Sequence, residues 1–121
     1  MELQHFDVVH HNCHLHVIFR QELHCSWEDV RKSMDVDFEL LVRSCEPYVV
    51  LDFSHVALVG GGLVGKLVML GRALQSHGRR LLLCNIKTDA GFVLSMPSGP
   101  PQWTIFQSYN EACSFIGSKA A

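Results

Sequence analysis

The sequence has no excess of positive charge and no stretch that suits a membrane. Its 10 Lys and Arg residues and 12 Asp and Glu residues leave a formal net charge of −2, whereas nucleic-acid-binding domains usually carry a basic surface. No apolar run approaches the roughly 18 residues that a spanning helix needs. The first residues also lack the cationic and apolar segments of a secretory signal. These absences predict a cytoplasmic protein that binds neither nucleic acid nor membrane.

Cysteine pairs are absent as well. The five cysteines are odd in number and scattered, and no two of them form a C-x-x-C motif. This pattern argues against a disulfide framework and against a zinc ribbon, and it is typical of reduced thiols in a cytoplasm. The cysteines are Cys13, Cys25, Cys45, Cys84 and Cys113.

The sequence does contain enough apolar material for one core. Of its 121 residues 48% are hydrophobic and 18% are charged, a balance that is typical of a compact fold rather than a disordered chain. A chain of this length is large enough for one core and too small for two. The composition therefore predicts a single domain over residues 1–121.

Short apolar runs alternate with amphipathic stretches along the chain. In residues 14–20, apolar Leu15, Val17 and Phe19 stand at every second position, as in a strand with one buried face. Residues 49–53 form an apolar run interrupted by one Asp, as in a buried strand. Between them, apolar residues recur at helical spacing over 27–45. On the same criteria we predict strands at 6–9, 14–20, 49–53, 81–86 and, as a brief strand or connector, 104–106, and helices at 27–45, 63–74, 88–96 and 109–116.

Glycine and serine mark the predicted helix ends. Gly78 follows the second helix as a C-terminal cap. Ser108 and Glu111 form a capping box that begins the last helix, and Gly117 is predicted to end it. The resulting order, β-β-α-β-α-β-α-β-α with a loop at 97–101, predicts an α/β sandwich with a mostly parallel sheet, whose first two strands are able to pair as a hairpin.

The segment from Gly60 to Lys66 matches the first part of a phosphate-binding loop. Gly60, four residues, Gly65 and Lys66 follow a predicted strand in the pattern G-x-x-x-x-G-K. The full motif requires Ser or Thr next, to bind magnesium, and Leu67 stands there instead. The favoured interpretation is therefore a tight glycine turn with Lys66 pointing to solvent.

Histidine is concentrated between residues 10 and 16. On a strand, His14 and His16 point to the same face, where they would be able to share a transition metal. No second set of ligands with fixed spacing follows, and no Glu stands beside them as a catalytic base. We therefore predict solvent-facing imidazoles on an edge strand or hairpin, and no metal site. The cluster comprises His10, His11, Cys13, His14 and His16.

Nucleophilic groups are present without an arrangement typical of catalysis. Ser54 stands next to His55, and cysteines and histidines are plentiful, yet no spacing singles out one pair as nucleophile and base. Buried Cys is usually a small hydrophobic residue, and Asp52 is interpreted as a structural residue at a strand end. The prediction is a protein that is not an enzyme and holds no cofactor.

From Val49 onward the sequence resembles the STAS domain, the module of bacterial anti-sigma factor antagonists and sulfate transporter tails. The hallmark of that family runs roughly D-L-S-G-V-x-F-I-D-S-S-G-L-G-x-L, and residues 52–67 are D-F-S-H-V-A-L-V-G-G-G-L-V-G-K-L. Residues 78–85 and 109–112 also resemble later segments of the family, so that the likeness covers about 14–116 in element order. The resemblance implies a small sheet with helices packed mainly on one side.

Three glycines replace the regulatory residues of the family motif. In regulated members, a Ser or Thr after the Asp of D-S-S-G accepts a phosphate. Here Gly60 stands at the Asp position, Gly61 at the acceptor position and Gly62 at the second hydroxyl position. The resemblance therefore implies a regulatory or scaffold module that binds another protein and lacks the phosphorylation switch.

The predicted binding face is the glycine turn and the helix after it. Its partner would be an anti-sigma factor, a serine kinase or another STAS protein. The alternative is a small nucleotide- or metal-binding protein that uses the turn from Gly60 to Lys66 or the strand with His14 and His16. The predicted partner-binding residues are Gly60, Gly61, Gly62, Val64 and Val68, and the structural motif residues are Asp52, Ser54 and Gly65.

Overall fold

A five-stranded sheet and three helices make up the part of the chain that the structure describes. The structure is a computed structural model that describes residues 3, 5–20, 27–55, 61–86 and 103–120. The helix predicted at 88–96 and the loop at 97–101 lie outside these ranges. Within them, no helix is both long and apolar enough to cross a bilayer. The strands are β1 (Phe6–His10), β2 (His14–Phe19), β3 (Tyr48–Asp52), β4 (Arg80–Cys84) and β5 (Thr104–Phe106), and the helices are α1 (Trp27–Arg43), α2 (Gly61–Ser76) and α3 (Tyr109–Ala120).

The strands lie in the sheet in the order in which they occur in the chain. β1 pairs antiparallel with β2, and β2 to β5 run parallel. Val17 of β2 lies opposite Leu51 of β3, which lies opposite Leu83 of β4. Because parallel neighbours need a crossover, α1 links β2 to β3 and α2 links β3 to β4. The predicted hairpin and the predicted mostly parallel α/β sheet are confirmed.

The larger core lies between one face of the sheet and the helices α1 and α2. Alternation along β2 places Leu15, Val17 and Phe19 in this core, where they are fully buried. Burying each such side chain contributes about 1.5–3 kcal/mol to folding. The core also takes Leu3 and Phe6, Met34, Phe38 and Leu41 of α1, Val49, Leu51 and Phe53, Leu67, Leu70 and Leu74 of α2, and Leu81 and Leu83.

The helix α3 covers the opposite face of the sheet, over β3, β4 and β5. Its buried Ala112 and Ile116 pack against Val50, Leu82 and Cys84 in a smaller core. Two helices thus lie on one face and one on the other, which agrees with helices packed mainly on one side. The smaller core leaves the position of α3 more dependent on polar contacts at its first turn.

The helix ends follow the predicted signals with one exception. Gly78 has φ of 70°, the left-handed conformation that a C-terminal cap needs and that glycine adopts readily. Ser108 Oγ accepts the N–H of Glu111 at 3.2 Å, and the Glu111 carboxylate accepts the N–H one residue before Ser108 at 3.0 Å. The prediction that Gly117 ends the last helix is wrong, because α3 continues three residues past it. A helical glycine costs only about 1 kcal/mol relative to Ala.

The carboxyl end of α1 is tied to the rest of the fold by Arg79, which is only 7% exposed. Its guanidinium donates to the carbonyls of Leu41 and Val42 at 3.2 and 2.7 Å, to the Glu46 carbonyl at 2.7 Å and to Ser44 Oγ at 2.6 Å. The last carbonyls of a helix have no partner within it and carry partial negative charge. Arg79 therefore caps α1 from the chain segment that leads into β4.

Candidate functional site

The segment between β3 and α2 carries the motif on which the predicted binding site depends. Asp52 ends β3, as predicted, and Ser54 and His55 follow in an exposed turn. The helix α2 begins at Gly61, and its first turn holds no acidic residue. Its free N–H groups and positive end are therefore not neutralised by a carboxylate of that turn. Gly60 lies outside the described residues.

The predicted contact residues of α2 are partly engaged inside the protein. Val64 and Val68 are half-buried, and Val64 packs against the larger core. Gly65 is exposed, and a Cβ at that position would meet nothing within 4 Å. Among the described residues of α2, Met69 is the large apolar side chain that stands exposed, at 64%. Partner binding by Val64 and Val68 stays a prediction.

Lys66 does not form part of a phosphate-binding loop. It lies in the second turn of α2 rather than at the start of the helix, and its Nζ atom pairs with Asp35 Oδ1 of α1 at 2.5 Å. The prediction that Lys66 points to solvent is wrong, because this ion pair holds its side chain at 18% exposure. The geometry gives no support to the nucleotide-binding alternative.

A hydrogen-bonded network surrounds Asp52 at the carboxyl end of β3. Asp52 Oδ1 accepts the N–H of Ser54 and the Nδ2–H of Asn85, each at 3.0 Å, and Oδ2 lies 2.8 Å from His16 Nε2. Burial alone would raise the pKa of Asp52, but the hydrogen bonds from Asn85, His16 and Ser54 outweigh it and lower that pKa. The carboxylate therefore joins the ends of β3 and β4 to β2.

Tyr109, the first residue of α3, contacts three imidazoles. Its hydroxyl oxygen lies 2.7 Å from His14 Nε2 and 3.3 Å from His11 Nε2. Its ring stacks on His16, with centroids 3.7 Å apart and planes 12° apart, while His11 and His14 stack on each other at 4.4 Å. These contacts attach the first turn of α3 to the hairpin of β1 and β2.

The predicted imidazoles do lie on a hairpin, but the prediction that they face solvent is wrong for His14 and His16. β2 is an internal strand between β1 and β3, His14 is 8% exposed, and both rings contact Tyr109. Both rings lie on the same face, as predicted, because they are two residues apart on a strand. Substitution of these two histidines is therefore expected to disturb the contacts of Tyr109.

The histidines have protein partners rather than a metal-binding geometry. Nε2 of His14 contacts a phenol and Nε2 of His16 contacts a carboxylate. Across the described ranges, no group of three or more His, Cys, Asp or Glu side chains is arranged to hold a metal ion. The described residues therefore give no support to the metal-binding alternative.

The described cysteines are free thiols. Cys13, Cys45, Cys84 and Cys113 form no disulfide. Burial, together with the nearby Asp52 and Cys113, raises the pKa of Cys84 to about 12. A thiol with this pKa stays protonated at neutral pH, so Cys84 is not activated as a nucleophile.

Sequence reasoning missed the link between the two ends of this network. The alternation of His14 and His16 with apolar residues indicates that the imidazoles share the face opposite Leu15 and Val17. It does not indicate what covers that face, because Tyr109 is 95 residues from His14 in the chain.

Comparison with known proteins gives a match in structure and none in sequence. No protein-family model and no curated protein matches the chain. An anti-sigma-factor antagonist (STAS) domain protein from Planctomyces limnophilus is similar with a TM-score of 0.77 at 17% identity, covering 92% of this chain and 96% of that one. RsbS from Moorella thermoacetica has a TM-score of 0.75 at 13% identity, covering 97% and 98%. A protein of the stressosome, a signal integration and transduction hub, has a TM-score of 0.72 at 15% identity, covering 94% and 98%.

At these identities the likeness is one of fold. It extends over nearly the whole of this chain and of each neighbour. The chain therefore has the fold of STAS domains, and the resemblance seen in residues 52–67 is confirmed at that level.

Proposed function

We propose that this chain is a non-enzymatic regulatory domain that acts by binding another protein. The observation that carries the proposal is the end-to-end likeness to an anti-sigma-factor antagonist domain and to a stressosome protein. A fold does not determine a function by itself, so the proposal also rests on the start of α2. The proposed partner is an anti-sigma factor, a serine kinase or another domain of this fold.

The start of α2 is the proposed binding face. Gly61 and Gly62 begin the helix, and because glycine has no side chain, a partner can approach the free N–H groups closely. One turn further along, Val64 and Val68 are half-buried and Met69 is exposed. The apolar side chains offer a partner a centre that excludes water. The free N–H groups at the helix N-terminus offer polar contacts at its rim.

Replacing Gly61 tests this face. Gly61→Asp should leave the melting temperature unchanged or slightly higher, because a carboxylate at a helix N-terminus gains about 0.3–1 kcal/mol. A partner docked there must desolvate the new charge, so its affinity should fall by about tenfold, or 1.4 kcal/mol. Gly61→Ser should change the affinity much less. The measurement is calorimetric titration with the protein that co-purifies with the tagged wild-type chain.

Gly117→Asp is the matched control, since it places the same charge at an exposed glycine of α3. Unchanged affinity for Gly61→Asp, with a wild-type melting temperature, would place the binding face elsewhere. Loss of about 1 kcal/mol or more of stability in both Gly61 variants would instead indicate that this position needs positive φ.

Phosphorylation should fail at the glycine turn. Gly61 and its glycine neighbours carry no hydroxyl, so a serine kinase has no acceptor there. Phosphopeptide mapping after incubation with a kinase of the type that acts on antagonist proteins should find residues 60–62 unmodified. A stoichiometric phosphate on Ser54, which is exposed, would show that the switch has moved and is not absent.

A further inference from the structure

The first turn of α3 is attached to the sheet through one phenolic oxygen that lies between two imidazoles. Tyr109 Oη is 2.7 Å from His14 Nε2 and 3.3 Å from His11 Nε2, and those two rings are stacked at 4.4 Å. His16 supports the opposite side of the arrangement by stacking on the Tyr109 ring at 3.7 Å. We call His11, His14 and Tyr109 the latch.

Few carboxylates lie near the latch to balance positive charge on its imidazoles. Among the described residues, Asp52 is the carboxylate that contacts one of the imidazoles around Tyr109. Its Oδ2 atom is hydrogen-bonded to His16 rather than to a histidine of the latch. At the margin, Asp7 pairs with Arg20 and Glu46 with His10. The titratable groups that contact or act on Tyr109 are His16 from β2, Asp52 from β3, Cys84 from β4 and Cys113 from α3. Cys13 from the β1–β2 turn and Tyr48 from β3 pack against the neighbouring smaller core.

The two hydrogen bonds of the latch need two hydrogens. One belongs to the phenol and the other must lie on Nε2 of either His11 or His14, which two neutral rings supply by their choice of tautomer. One added proton also fits, because the charged ring donates to Oη and the phenol donates to the other ring. With two added protons both Nε2 atoms are donors, so neither ring can accept the phenolic hydrogen, which must turn away from both imidazoles toward the weaker acceptor Cys113.

Electrostatic repulsion also disfavours protonation of both imidazoles of the latch. Two imidazolium rings stacked at 4.4 Å repel each other, and His14, at 8% exposure, cannot be solvated where it stands. Burial lowers the pKa of His14, and the neighbouring His11 and His16 lower it further. Binding of the second proton is therefore unfavourable while the first turn of α3 is attached to the sheet. It becomes favourable once that turn is released.

We propose that the latch is a proton-counting device, which holds the first turn of α3 against the sheet with up to one added proton and releases it when both imidazoles are protonated. A histidine whose pKa is lowered by folding contributes stability that is complete above its unfolded value of about 6.5 and is lost as the pH falls through the lowered one. Release thus occurs on the acid side of neutrality. It begins at the first turn of α3, and the packing of Ala112 and Ile116 in the smaller core opposes its spread along the helix.

Hydrogen exchange of the intact chain tests the latch. Exchange of the α3 amides, corrected for the intrinsic effect of pH, is measured at pH 7.5 and 5.5 by mass spectrometry, with α1 amides as the internal reference. For the wild type we expect α3 exchange to accelerate by about threefold or more at the lower pH, since one proton changes an opening equilibrium by up to tenfold per pH unit. His11→Phe keeps a stacked ring and removes the second proton, so its change should stay below about twofold.

Two further variants separate the latch from general acid sensitivity. Tyr109→Phe should expose α3 to faster exchange at both pH values, with no additional acceleration at pH 5.5. His77→Gln removes an exposed histidine that follows α2, on the opposite face of the sheet, and should keep the wild-type response. Equal pH responses in the wild type and His11→Phe, or no response in the wild type, would overturn the proposal.

Discussion

Arg79→Met is expected to lower the free energy of unfolding by about 2–4 kcal/mol, which corresponds to a fall of roughly 10 °C in melting temperature for a chain of this size. Methionine fills a similar volume but donates nothing. The carbonyls of Val42 and Glu46 then lose the guanidinium donors that lie 2.7 Å away, whereas the Leu41 carbonyl keeps Ser44 as a donor. A buried acceptor without a donor costs more than an average hydrogen bond contributes, because its desolvation is not compensated.

Thermal and urea denaturation measure the stability of Arg79→Met, and two companion variants serve as controls. Arg79→Lys keeps the charge and loses the fork of the guanidinium, so its loss should be intermediate. Arg80→Met changes the neighbouring exposed arginine and should cost less than about 0.5 kcal/mol. If Arg79→Met is no less stable than Arg80→Met, the capping of α1 by Arg79 contributes nothing to folding.

Asp52→Ala is expected to destabilise the protein by about 2–4 kcal/mol. The substitution removes the acceptor shared by the Ser54 N–H, the Asn85 amide and His16, and it leaves these donors at a site where Asp52 is 5% exposed. Asn85 has φ of 58°, a conformation that Asn tolerates better than most residues, and its amide contact to Asp52 helps to hold it. Loss of the carboxylate should therefore also loosen the turns that follow β3 and β4.

The pH dependence of the same variant provides a second measurement. Hydrogen bonds lower the pKa of Asp52 in the folded protein despite its burial. Its contribution is therefore complete above its unfolded pKa of about 4 and is lost as the pH falls through the lower folded value. The stability difference between the wild type and Asp52→Ala should narrow below about pH 4. Asp7→Ala, at an exposed carboxylate, should cost less than about 1 kcal/mol, and an equal loss there would contradict the special role of Asp52.

The elements of the fold are largely readable from local patterns. The alternation of Leu15, Val17 and Phe19 predicts β2, and the glycine with φ of 70° at the end of α2 is the one that the sequence marks as a cap. The prediction that Gly117 ends the last helix fails, because a single glycine stops a helix only weakly when the residues after it continue the helix. Such signals involve neighbours in the chain, so they need no knowledge of the tertiary structure.

The candidate site is less accessible from the sequence. The glycine turn and the family resemblance predict that α2 begins near Gly61. Nothing in the sequence predicts that Lys66 pairs with Asp35. Its partner belongs to another helix, and the residue spacing says nothing of how two helices pack. For the same reason the histidines of β2 were expected at a surface that α3 in fact borders.

By itself the sequence determined the α/β class, the order of strands and helices, and the side of β2 on which His14 and His16 lie, because side-chain periodicity and capping are local properties of the chain. Only the tertiary structure decided that β2 is internal, that Arg79 caps α1, and that Tyr109 meets the two imidazoles. Each of these contacts joins residues that are more than 30 positions apart. They depend on which strands become neighbours and on which face α3 packs, and both are consequences of the assembled sheet rather than of any one segment.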